Sequence, residues 1–100
     1  MNQELQEKLF QKYPKIFRQR SLDKTMSAMC YGIQCPDRWH DLIDTLCSQI
    51  EKYSERKGIV CEAMQIKEKF GGLRFYAAET DDYIDGLIAM SESLSYKIKE

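Results

Sequence analysis

A chain of 100 residues with 43% apolar and 31% charged side chains has the make-up of one ordinary globular domain, spanning residues 1–100. Its formal charge of −1 excludes a protein that coats duplex DNA by bulk attraction to phosphate. A chain this short buries only about two thirds of its unfolded surface, so association into a homo-oligomer is an expected source of added stability.

Charge is unevenly spread: residues 1–40 carry seven Lys or Arg against four Asp or Glu, and residues 41–100 carry eight against twelve. The front is mildly basic and the back mildly acidic. Cys30, Cys35, Cys47 and Cys61 occur without a leading apolar segment or a run of transmembrane length. The expectation is a cytoplasmic protein with reduced thiols and no membrane contact. The C-x4-C pair invites a zinc test, but there is no C-x2-C, Cys47 falls on a core-facing helical position and His40 is the sole imidazole, so no metal site and no cofactor is assigned.

In chain order, residues 2–13 predict a short amphipathic helix carrying Leu5, Leu9 and Phe10, stopped by Pro14. Residues 15–34 lack clear periodicity and read as a connector tied to the core through Ile16, Phe17, Leu22, Met26 and Met29. Pro36 and Asp37 suit a helix start and Gly58 a stop. Within 36–57, Trp39, Leu42, Ile43, Leu46, Cys47, Ile50 and Tyr53 recur at spacings of three and four, predicting the core helix. His40, on the border of that stripe, reads as a packing residue.

Alternation after Gly58 predicts a β-hairpin with strands 59–68 and 72–78 and a turn at Lys69, Phe70, Gly71 and Gly72, where two glycines allow positive φ. Met64, Ile66, Leu73 and Phe75 are the expected buried face; Lys67, Arg74 and Tyr76 fall opposite. Thr80 is the expected N-cap of a last helix, 80–98, with Ile84, Leu87, Ile88, Leu94 and Ile98 on its apolar stripe. The fold class is therefore α+β: three helices packed on an antiparallel hairpin. Open hairpin edges would invite a third strand from the connector, or pairing across a subunit interface.

The segments KYPKIF (Lys12 to Phe17), CYGIQCPDRWHDLIDTLC (Cys30 to Cys47) and QIKEKFGGLRFY (Gln65 to Tyr76) together resemble a family of small bacteriophage and prophage proteins. The likeness spans most of the chain. It rests on Gly32, Cys35, Trp39 and the run from Lys67 to Tyr76, with Arg38 standing where a glycine commonly precedes the tryptophan. The resemblance implies a phage accessory role without supplying a reaction. By analogy with other small phage proteins, it points to counter-defence through binding of a nucleotide signal or of a host defence protein.

The residues themselves suggest a ligand site. Lys67, Lys69 and Arg74 would meet phosphate charge, the Gly71 and Gly72 amides would donate hydrogen bonds, and Phe70, Tyr76 or Trp39 would stack on a base. The preferred mechanism is noncatalytic sequestration of a nucleotide-type ligand. The alternative is an inhibitor of a host defence protein, acting through a sheet edge or the acidic helix faces that carry Glu51, Glu55, Asp81, Asp82, Asp85 and Glu92. No nucleophile motif or paired histidine and carboxylate spacing points to catalysis.

Overall fold

A computed structural model describes residues 1–99. Among the described residues the class is α+β: three α-helices and a three-stranded mixed sheet. Helix α1 covers Gln3–Lys12, with the Asn2 side chain capping the Leu5 amide at 2.8 Å. The connector forms two short 3-10 turns, Arg18–Ser21 and Ala28–Tyr31, then strand β1, Ile33–Gln34. Helix α2 is His40–Lys57, strands β2 and β3 are Glu62–Lys69 and Gly72–Ala78, and helix α3 is Asp82–Ser95.

Helix α2 begins later than its sequence suggests, because Asp37–Trp39 forms a 3-10 turn. Asp37 does not cap its own helix; its carboxylate accepts from the Asn2 amide at 2.7 Å and side chain at 3.0 Å, pinning the start of α1. The stop is as expected, with Gly58 in the left-handed region at φ 71°. Trp39, Ile43, Leu46, Cys47 and Ile50 are fully buried, each large apolar side chain contributing roughly 1.5–3 kcal/mol. The Trp39 indole N–H lies inside this core without a hydrogen-bond partner, at a cost of about 1–3 kcal/mol.

Helices α1 and α2 are joined at Asp44, which accepts from Lys12 Nζ at 3.0 Å and from the Tyr13 hydroxyl. Burial pushes the Asp44 carboxyl up, but the bonds from Tyr13 and Lys12 outweigh it and hold the group below the usual carboxylate range. Tyr13 moves the other way, raised first by burial and then by Asp44.

The sheet order is β1-β2-β3, with β1 parallel and β3 antiparallel to β2. The third strand thus comes from the connector, so the sheet is mixed and not a bare antiparallel hairpin. Residues 59–61 are not strand; the Ile59 amide instead bonds the Ser54 carbonyl at 3.0 Å, finishing the helix end. Between Ala63 and Gln65 the register shifts. This bulge turns Met64 outward, where it is exposed, and lets Ala63 take the buried place expected of it. Leu22 and Met26 are likewise exposed, and the connector is bound to the core through Ile16, Phe17, Met29 and Ile33.

Both edges of the β2–β3 hairpin carry partners. Along β2, the Ala63 amide bonds the Ile16 carbonyl at 2.8 Å, and β1 pairs at Ile66 and Lys67. Along β3, the Leu73 amide donates to Ser95 Oγ at 2.9 Å and the Phe75 amide to Glu92 Oε2 at 2.8 Å. Helix α3 therefore serves as a side-chain substitute for a fourth strand. This explains why Ser91 and Ser95 are buried while Leu94, expected on the apolar stripe, is exposed. Asp81 caps α3 through the Ile84 amide at 2.9 Å, in place of Thr80, and the helix ends at Ser95. At these paired positions the backbone groups of the hairpin edges are already engaged within the chain.

Candidate functional site

Adjacent rows across the sheet have opposite chemistry. Ile33, Ile66 and Phe75 stand side by side on the three strands and are buried. One residue along, Gln34, Lys67 and Arg74 form the next row, on the outer face. Because side chains alternate along each strand, burying Ile66 and Phe75 forces Lys67 and Arg74 outward together. Directly opposed residues bring their Cβ atoms within about 5 Å, so two cations here repel one another.

Neither cation forms an ion pair among the described residues. The Arg74 guanidinium donates to the Leu73 carbonyl at 2.9 Å and to the Tyr96 hydroxyl at 3.0 Å. Its bond to Tyr96 is the main cause of an Arg74 pKa above the ordinary value; desolvation opposes this, and Glu92 and Tyr76 add to it. Lys67 is half-buried and has no such bond.

Tyr76 faces the same way, opposite Gln65 and two residues beyond Arg74, a step of about 6.8 Å along the strand. Beside it lies a hollow of about 550 Å³ walled by Met64, Gln65, Tyr76 and the connector residues Lys24, Met26 and Ala28. Tyr76 is 44% exposed and available to stack. The outer face thus combines cations, a ring and a neighbouring recess.

The turn departs from expectation. Positive φ falls at Phe70 (54°) and Gly71 (82°), the signature of a two-residue type I′ hairpin turn closed by Lys69 and Gly72. Gly72 is a glycine for another reason: a Cβ there would strike the Tyr96 ring. The Gly71 amide is already bonded to Glu68 Oε2 at 2.8 Å. The turn therefore offers no open pair of glycine amides to an anion, and that part of the expected site is corrected. Phe70 is 85% exposed at the tip, with Lys69 Nζ 5.6 Å from its ring centre.

Trp39 is also corrected as a site residue: it is completely buried and cannot stack on a ligand at the outer face. The structure brings Lys67, Arg74 and Tyr76 together, sets Lys69 two residues closer to the tip, and leaves Phe70 projecting beyond them. Sequence reasoning missed Tyr96, which braces Arg74 and covers Gly72, and Glu68, which clamps the turn. A carboxylate three residues before Gly71 was a readable hint of the clamp; nothing local foretold Tyr96.

His40 Nδ1 is 3.0 Å from an Asp41 carboxylate oxygen, and its Nε2 is buried without a partner. The cysteines are free; burial pushes Cys35 up to about 12 and Cys61 up to about 11. Among the described residues no three His, Cys, Asp or Glu side chains gather as a metal site, and no helix is long and apolar enough to cross a membrane. Compared with family models, curated proteins and solved structures, the chain has no match.

Proposed function

We propose that this chain is a phage-type accessory protein of the counter-defence kind, which acts without catalysis by holding a nucleotide-type ligand on the outer face of its sheet. The observation that carries this reading is the Lys67–Arg74 pair: two cations forced into opposition on a solvent-facing row, neither of them in an ion pair among the described residues. A phosphate between them relieves the repulsion. Arg74 supplies a planar fork braced by Tyr96, Lys67 a point charge, and Lys69 further positive potential. Tyr76, one step along the strand, takes the base, and the recess beside it gives the base a second wall.

The test is thermal unfolding with a panel of mononucleotides and cyclic oligonucleotides. A ligand at a hundred times its dissociation constant adds about 2.7 kcal/mol of stability. Arg74→Ala retains the fold and weakens binding by about 1.5–3 kcal/mol. No shift with any anion, or an unchanged shift in Arg74→Ala, contradicts the proposal.

A second reading, inhibition of a host defence protein by direct contact, is favoured by Phe70 alone. An aromatic residue at 85% exposure, held at positive φ on a projecting tip, resembles the anchor of a protein interface. Under this reading Phe70→Ala abolishes capture of the partner, and Arg74→Ala weakens it less. The reverse ranking returns the weight to the nucleotide ligand.

A further inference from the structure

Away from the outer face, where the chain leaves α2 to enter β2, a hollow of about 300 Å³ opens at the surface. It lies before the start of β2, at the opposite end of that strand from the hairpin tip. Ile16, Ile59, Val60 and the buried Cys61 make its apolar wall. Ser54, in the last turn of α2, also lines it. Ser54 is only 8% exposed, and its hydroxyl has no hydrogen-bond partner, although its carbonyl is engaged by the Gly58 and Ile59 amides. A buried hydroxyl without a partner is costly, and a polar group on a bound molecule would satisfy it.

The rim has a definite sign. Glu51 and Glu55, one turn apart on α2, both border the hollow, and neither forms an ion pair among the described residues. Their like charges reinforce the negative end of the α2 dipole. Lys15 is the one cation among the lining residues. The balance favours a cationic ligand. In size, the hollow lies at the small end of ligand pockets, yet a closed apolar cavity of about 150 Å³ already accepts benzene.

We propose that this hollow is a second binding site, for a small primary amine whose apolar ring or chain rests on Ile16, Ile59 and Val60 while its ammonium group bonds Ser54 and pairs with Glu51 and Glu55. The assignment stands apart from the anion-binding face, since it shares no residue with it.

The experiment is an amide-resolved NMR titration of the whole chain with 2-phenylethylamine, 2-phenylethanol and 3-phenylpropionate as probes. The amine gives saturable shifts centred on Ser54, Ile59 and Cys61, and the alcohol and the acid bind at least about tenfold more weakly. Glu51→Gln with Glu55→Gln lowers amine affinity by about tenfold or more. Ser54→Ala lowers it a fewfold and, by removing an unbonded buried hydroxyl, leaves the melting temperature unchanged or raised. Equal binding of all three probes, no saturable shift with the amine, or unchanged affinity in the double variant overturns the assignment. None of these results touches the Lys67–Arg74 proposal, which is read out with anions elsewhere on the molecule.

Discussion

Two neighbouring rows of the same sheet behave as two materials. Ile33, Ile66 and Phe75 are locked under the helices, whereas Gln34, Lys67 and Arg74 face solvent one residue along each strand. The hydrophobic row fixes the register, because a slip by one residue would bury two cations and expose two large apolar side chains. The charged row then inherits its geometry without contributing to the core. Stability and the proposed binding are thus separated by an offset of a single residue, a division that substitutions can break or sharpen.

The largest effect is expected on the inner row. Phe75→Ala removes a ring that is 3% exposed and should cost about 3–5 kcal/mol in denaturant unfolding. A loss below about 1 kcal/mol would mean that the inner row does not fix the sheet. Next comes the β3 edge, where Ser95→Ala leaves the buried Leu73 amide without its acceptor. About 1–3 kcal/mol should be lost, with faster hydrogen exchange at Leu73 as the local mark. Phe70→Gly acts in the opposite direction. Relief of an aromatic residue at positive φ, offset by added chain entropy in the unfolded state, should raise stability by about 0.5–1 kcal/mol. A destabilised variant would mean that the ring packs against something at the tip.

The smallest effect sharpens the contrast most. Lys67→Gln removes one of two opposed cations and should change stability by no more than about 0.5 kcal/mol, toward greater stability. Added salt should stabilise the parent chain more than this variant, since screening does the same work as the substitution. A loss well above that bound would make Lys67 architectural.

Much of this arrangement was legible in the residues, for identifiable reasons. The repeat from Trp39 to Tyr53 and the stop at Gly58 are local signals, so α2 was readable to within its first turn. Alternation around Ile66 and Phe75 placed Lys67 and Arg74 on one face, since period two fixes direction as well as burial. What stayed hidden depends on contacts distant in sequence. Strand β1 is two residues long and exists because β2 lies beside it. The bulge that expels Met64 breaks an otherwise regular alternation. Gly72 carries the mark of a turn residue, yet it answers to Tyr96, twenty-four positions later. Distant packing added Tyr96 to the candidate site, whereas Trp39 left it through its own helical stripe and the Gly71 amide through Glu68, three residues before it.

Anion binding at the Lys67–Arg74 row is the central proposal. The direct measurement is an NMR titration of the full chain with pyrophosphate and then ATP, following backbone amides and the Arg74 side chain. Saturable shifts concentrated on Lys67, Arg74 and Tyr76, tighter for ATP than for pyrophosphate and lost in Arg74→Ala, are the predicted result. Weak, unsaturable shifts spread evenly over the surface lysines would contradict it.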